Sequence, residues 1–209
     1  MNGITDREVE RYIYDMLPAR DEVIAEMEEQ ARQRSIPIIG PAVARVLHQY
    51  ARLIGARRVF EMGSAIGYST IWLARAVGIR GKVYYTDGSQ ENAEEARGYF
   101  ERAGVADRIE ILTGDSIELI ETVEGEFDLI FNDVDKHQYP DAFRKAVPRV
   151  RRGGLFITDN VLWSGRVARG DTDKYTEGVR EFNRLIYSSG ELYPTILPIR
   201  DGIAVCLKV

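Results

Sequence analysis

The residues best equipped for chemistry fall in two short stretches. Asn132-Asp133-Val134-Asp135-Lys136 closes one apolar run, and Asp159-Asn160 closes another beginning near Leu155. Asp133, Asp159 and Asn160 offer two carboxylates and an amide oxygen. That is a hard, oxygen-only set suited to magnesium, with water or substrate completing the octahedron. The set lacks histidine and thiolate ligands, which argues against zinc. Each pair alone has a plainer use: Asp159-Asn160 can cap the next segment, and Asp135 can cap a helix starting at Tyr139. Asp133-Val134-Asp135 is also a D-x-D, a pattern able to hold a metal-bound diphosphate in a nucleotide-sugar glycosyltransferase. That alternative leaves Asp159-Asn160 without a task. A non-catalytic ligand-binding protein is the third reading.

A second constellation lies at residues 61–70, Glu61-Met62-Gly63-Ser64-Ala65-Ile66-Gly67-Tyr68-Ser69-Thr70. Gly63 and Gly67 permit a tight strand-to-helix turn and close approach of a ligand to the backbone. The spacing is G-x-x-x-G, with Ala65 where the dinucleotide fingerprint has glycine, and no G-x-x-x-x-G-K-[ST] phosphate loop is present. Such a turn serves packing as readily as binding. Asp87 tips the balance, because a carboxylate ending the next strand, about 20 residues on, can accept both hydroxyls of a ribose. Turn and carboxylate together indicate a nucleoside-containing cofactor.

These residues need elements to hold them. From Arg58 onward, β-rich runs alternate with helical ones: 58–63, then a helix over Ser69–Val77; 82–87, then Asn92–Ala103; 108–114, then 116–123; 127–133, then Tyr139–Val150; 154–160, then Thr176–Ser188. The runs 192–199 and 202–209 have no helix between them and read as a hairpin. Strand–helix alternation favours a mostly parallel sheet covered on both faces. Ligands in such folds bind beyond the carboxyl ends of the strands, where Asp133 and Asp159 fall. A right-handed crossover places those two strand ends on the same edge, and neighbouring strands about 4.8 Å apart let the side chains converge. Residues 1–40 form a helical N-terminal arm, with a capping box from Thr5 to Glu8, Pro18 closing the first helix and a second helix over Asp21–Gln33. A third helix over Ala42–Ile54 opens the α/β body at 41–209, and the whole reads as one domain.

Composition sets the outer limits. The chain has 209 residues, 44% hydrophobic and 29% charged, which describes a globular domain with a substantial core. No apolar run reaches the ~20 residues of a membrane span. The polar, acidic start resembles neither a secretory signal nor a transit peptide. A single cysteine, Cys206, and a net charge of −5 suit a reducing cytoplasm and argue against a broadly basic nucleic-acid binder.

The stretches "EMGSAIGYS", "YYTDGS", "FNDVDK" and "ITDNVLWSGRVA" resemble the successive motifs of the metal-dependent O-methyltransferases. That family includes catechol and caffeoyl-CoA O-methyltransferases and bacterial relatives, some acting on 5-hydroxyuridine in transfer RNA. The resemblance runs from about Ile36 to the C-terminal "DGIAV". It implies a Rossmann-like class I methyltransferase fold, a seven-stranded mostly parallel sheet with a reversed last strand. It also implies S-adenosylmethionine as cofactor, with Glu61, Gly63, Tyr68 and Ser69 lining its site, Asp87 on the ribose and Asp115 with Ser116 bordering the adenine. Asp135 becomes a cofactor contact. Asp133, Asp159 and Asn160 match the family's ligands for Mg2+, or for Mn2+ or Ca2+, and Lys136 matches its general base. A lysine serves as base only if a nearby cation depresses its pKa. The chain departs from the family at Asn132, which stands where an apolar residue is usual. "IGPAVARVL" lacks the Glu-Gln-Gly of many small-phenol enzymes, so the implied acceptor is either a small catechol-like hydroxyl compound or transfer RNA.

Other residues carry lesser expectations. The stripe Val9, Ile13, Met16 asks for a partner surface and, with the resemblance, implies a homodimer. His48 and Cys206 read as structural, and His137 as a loop histidine. Trp163 either walls the acceptor pocket or packs beneath the loop. Arg149, Arg151 and Arg152 are the densest basic cluster, a solvated surface by default and the place to seek a transfer-RNA backbone.

Overall fold

The computed structural model describes residues 4–209, so the first three residues of the arm lie outside the described residues. The arm opens with α1 (Arg7–Asp15). Its cap is Asp6 rather than Thr5: the Asp6 carboxylate accepts from the amides of Glu8 at 2.9 Å and Val9 at 3.3 Å. A charged acceptor one residue later serves these N–H groups better than the Thr5 hydroxyl. Then α2 (Glu22–Arg34), capped by Asp21, buries Ile24, Met27 and Ala31, and α3 (Gly40–Leu53) starts with Pro41 in its first turn.

The body alternates as expected: β1 (Arg58–Met62), α4 (Tyr68–Val77), β2 (Lys82–Asp87), α5 (Gln90–Arg102), β3 (Ile109–Thr113), α6 (Ser116–Thr122), β4 (Phe127–Asn132), α7 (Tyr139–Ala146) and β5 (Val150–Thr158). A one-turn α8 (Arg166–Arg169) and the long α9 (Lys174–Ser188) precede β6 (Leu192–Leu197) and β7 (Ile203–Lys208). The strands form one sheet in the order β3-β2-β1-β4-β5-β7-β6. From β3 to β5 the pairs are parallel, while β7 runs antiparallel to both β5 and β6. The reversed last strand and the terminal hairpin are therefore present.

Two boundaries differ from the sequence expectation by four residues. The helix from Tyr139 stops at Ala146, because Val147-Pro148-Arg149 tightens into a 3-10 turn, and Val150 already belongs to β5. Proline sits comfortably in a first turn but cannot continue the helical ladder. β5 thus starts four residues earlier than the apolar run suggests, with an irregularity against β4 between Phe127 and Leu129.

Alternation along the strands divides the core. Val59, Val83, Tyr85, Leu129, Phe131 and Ile157 face α2–α5, while Phe60, Met62, Ile130, Phe156 and Cys206 face α6, α7 and α9. Both faces are apolar, as a doubly covered sheet requires. The arm's second helix joins the first of these cores and is tied down by Arg75–Asp21, Arg102–Glu26 and Arg34–Glu95 ion pairs. By contrast, α1 buries none of its residues. Strand order reverses between β1 and β4, so the crevice at their carboxyl ends is the natural ligand position.

Candidate active site

Gly63 leaves β1 with φ +82°, and a Cβ there would come 2.7 Å from the Asp133 carbonyl oxygen. This close approach of the β1 and β4 ends demands glycine. Gly67, at φ +83°, has its missing Cβ filled by the Phe100 ring. Both glycines of the spaced pair are therefore fixed by packing as well as by the turn. Ala65 between them is also left-handed, held by its N–H donating to Asp87 Oδ2 at 2.9 Å and its carbonyl accepting from the Tyr85 hydroxyl at 2.6 Å. Asp87 Oδ1 accepts from the Ser89 amide and from Asn92 Nδ2, at 2.9 and 3.0 Å. One carboxylate thus locks the turn to β2 and keeps its orientation at the cleft.

Asp115 caps α6 through the Ile117 amide, and Ser116 Oγ lies 2.8 Å from Thr86 Oγ1. Glu61 is fully buried beneath the turn, where the Thr70 hydroxyl donates to it. Burial pushes its pKa up to about 7, against the hydroxyls of Ser69, Thr70 and Ser64, which pull the other way. Tyr68 is likewise buried, and its hydroxyl donates to Glu28 of α2 at 2.8 Å. Glu61, Tyr68 and Ser69 support the turn from below; Gly63, Asp87, Asp115 and Ser116 line the cleft itself.

On the other side, Asp133 takes its place through its amide donating to the Met62 carbonyl at 2.8 Å. Lys136 Nζ reaches back to Asp133 Oδ1 at 2.7 Å and lies 5.2 Å above the Tyr139 ring. Burial alone would lower the Lys136 pKa, but Asp133 and Tyr139 outweigh it and the net direction is upward. Asp159 is wholly buried. Its Oδ2 accepts from Arg200 at 2.6 Å and its Oδ1 has no protein partner. Burial pushes its pKa up to about 6, Arg200 opposes that, and the nearby Asp133 adds to it. Asn160 holds a left-handed φ of +56° and lines the cleft. Asn132 is buried, with Nδ2 3.5 Å from Thr158 Oγ1 across β4 and β5. Among the described residues no cluster of three or more histidine, cysteine and acidic side chains converges. The candidate cation site is two carboxylates and an amide.

A single cleft of about 520 Å³ joins the two halves. Its walls include Gly63, Asp87, Asp115 and Ser116 on one side and Asp133, Asp135, Lys136 and Asn160 on the other. Pro37 and Ile38 from the end of the arm, and Arg200 from the loop before β7, complete it. The last three were absent from the sequence reading. A charged Arg200-Asp201 pair inside an otherwise apolar terminal hairpin was the available signal. His48 and Cys206 are structural, with His48 Nδ1 3.1 Å from the Trp72 carbonyl and Cys206 buried in β7. The basic cluster serves the scaffold: Arg149 donates to the carbonyls of Ile120, Val123 and Gly125, and Arg151 to Asp128 at 2.5 Å. It sits where β5 begins, about the length of β4, roughly 17 Å, along the sheet from the strand ends that carry the cleft.

Fold and cleft together define a Rossmann-like methyltransferase. The chain belongs to the O-methyltransferase family, which its residues 16–209 match. It is 31% identical to a catechol O-methyltransferase of Niastella koreensis, over 99% of each chain. Its fold superposes on an O-methyltransferase from Bacillus cereus in complex with SAH, with TM-score 0.87 and 32% identity over 97% of each chain. TomG from Streptomyces achromogenes, an O-methyltransferase of tomaymycin synthesis in complex with SAM, gives TM-score 0.88 and 29% identity over 97% of this chain and 96% of that one. The nucleotide-sugar reading of Asp133-Val134-Asp135 and the non-catalytic reading both fall with this match.

Proposed function

We propose that the protein transfers a methyl group from S-adenosylmethionine to a hydroxyl of a catechol-like or other small phenolic acceptor, with a divalent cation held by Asp133, Asp159 and Asn160. The observation that carries the metal is Asp159 Oδ1, a fully buried carboxylate oxygen with no protein partner, next to a second carboxylate. Such an oxygen is costly to bury unless something pairs with it. The donor set is all oxygen, and the residues fit Mg2+, Mn2+ or Ca2+. When bound, S-adenosylmethionine supplies an activated methyl group and the cation a Lewis acid that makes a hydroxyl more acidic.

The chain's own groups do the rest. Asp87 is oriented to accept the ribose hydroxyls, and Asp115 and Ser116 border the base. Asp135 faces the cofactor across the cleft, and Pro37 and Ile38 cover the opening with apolar surface. Lys136 Nζ is the proton acceptor in this reading. Beside Asp133 and Tyr139 its pKa is raised, so it would serve as base only where a cation held by Asp133 offset that carboxylate's charge. Catechol chemistry is supported by the cleft's size and by the relative from Niastella koreensis. The single buried cysteine supports a reducing cytoplasm as the working place. We further propose a homodimer, in which α1 of one chain packs on a second copy.

The test is methyl transfer from S-adenosylmethionine to catechol, and in parallel to a transfer RNA carrying 5-hydroxyuridine, with Mg2+ and with chelator. Transfer to catechol that chelator abolishes and Mg2+ restores is the expected result. Transfer that survives chelation removes the metal, and labelling confined to RNA reassigns the acceptor.

A further inference from the structure

Arg200 holds an unusual position for an arginine. Its φ is +53°, a left-handed conformation that favours glycine, so the side chain must have a use that outweighs the backbone preference. One guanidinium nitrogen donates to Asp159 Oδ2 at 2.6 Å and another to the Ile38 carbonyl at 3.1 Å. Its own carbonyl accepts from the Ile4 amide at 3.0 Å. The side chain is mostly covered, at 16% exposure, and still contributes to the cleft wall. The Arg200 guanidinium is therefore held at two points and its main chain at a third.

Charge bookkeeping then matters. Asp133 and Asp159 carry two negative charges toward the candidate cation site. Lys136 and Arg200, at 2.7 and 2.6 Å from them, return two positive charges. A divalent cation arriving there meets carboxylates whose field is already cancelled. The attraction between Arg200 and Asp159 exists before and after the cation binds, so it drops out of the binding balance. What remains is repulsion between a fixed monovalent cation and a divalent one a few ångströms away, inside a cleft of reduced dielectric.

Resting on the metal reading above, we propose that Arg200 is a positioning residue that holds Asp159 by its Oδ2, leaving Oδ1 unpaired, and, by its charge, keeps the site's affinity for divalent cations low. The pairing with Ile38 makes this a property of the assembled arm and body together. A site so neutralised takes up its cation best when an acidic hydroxyl compound brings negative charge with it.

The experiment is titration of Mn2+, read by electron paramagnetic resonance of the free ion, into the parent protein, Arg200→Met and Arg200→Lys at mildly alkaline pH without acceptor. Binding of S-adenosylhomocysteine serves as the check on folding. Arg200→Met should bind Mn2+ at least about tenfold more tightly than the parent, the direction Coulomb's law requires. Arg200→Lys should stay within about threefold of the parent, because the charge remains. Loss of a merely structural residue would weaken ion binding, never strengthen it. Equal or weaker binding by a folded Arg200→Met, or equal tightening in both variants, overturns the role of Arg200 alone. Absence of Mn2+ binding in the parent and in Arg200→Met overturns the metal reading and this proposal with it. If Arg200→Met fails to fold, the side-chain 15N spectrum of the parent decides the matter. The guanidinium signal that Arg200→Lys removes should shift in step with Mg2+ uptake, and a signal unmoved at saturation overturns the proposal.

Discussion

At the scale of single residues, the cleft separates groups by what each can be made to lose. Asp87 joins the Ala65 and Ser89 amides and the Asn92 side chain, and in the proposed function adds the ribose hydroxyls. Asp87→Ala should weaken S-adenosylmethionine binding about tenfold or more, roughly 1.4 kcal/mol, in calorimetric titration. A folded variant with unchanged affinity would remove Asp87 from the cofactor site. Lys136→Ala should cut turnover by about 10²–10⁴-fold, the range for a lost general base, with Mn2+ binding retained or tightened because a positive charge beside Asp133 is gone. That deficit should shrink as pH rises and the acceptor hydroxyl ionises unaided; full activity at neutral pH would sink the assignment. The strand–helix alternation made it legible that Asp87, Asp133 and Asp159 stand at the carboxyl ends of their strands. Arg200 and the true setting of Tyr68 were not legible. Their partners, Asp159, Ile38 and Glu28, lie about 40 to 160 positions away in the chain, and no local spacing encodes such contacts.

Among the elements, the β1–α4 turn has the least tolerance. Gly67→Ala would place a methyl group in the Phe100 ring at a left-handed backbone position. The sum of left-handed strain and overpacking is about 2–5 kcal/mol, so chemical denaturation should show a loss of that size. A loss under about 1 kcal/mol would mean that Phe100 moves aside easily. Strand and helix identities were readable from alternation, since both sheet faces are apolar and each of the first five strands is followed by a helix. The start of β5 was not, because Val150-Arg151-Arg152-Gly153-Gly154 looks like a helix end and a turn. Arg151 within it pairs with Asp128 and donates to the Ile54 carbonyl, partners that only the folded sheet brings near.

For the whole molecule, two predictions concern how it is held together. Asp128 ties the start of the sheet, accepting from Arg151 and from the amides of Arg57 and Arg58 at 2.8 Å. Burial works against its charge, yet Arg151 and the two amides hold its carboxyl below the ordinary aspartate range. A depressed folded pKa gives stability that is complete above the unfolded value near 3.9 and fades as pH falls through the folded one. Asp128→Asn should therefore lower Tm at neutral pH and show a smaller further fall toward about pH 3 than the parent. Equal falls in the two proteins would exclude this linkage. Association is the second: Tyr12 of α1 and Met16, which caps its end, are 66% and 67% exposed and share a face with Val9 and Ile13. An apolar helix face that buries nothing at home is matched by another copy of itself in the proposed homodimer. Sedimentation should show a dimer at micromolar concentration and a monomer for Met16→Asp. A parent that sediments only as a monomer would remove the pairing. The order of the last strands carries a consequence for synthesis on the ribosome. β6 emerges before β7, yet β7 is the strand that seats against β5. Until residues 203–208 have been made, β5 presents a bare, apolar strand edge with nothing to pair it, an edge of the kind that templates aggregation.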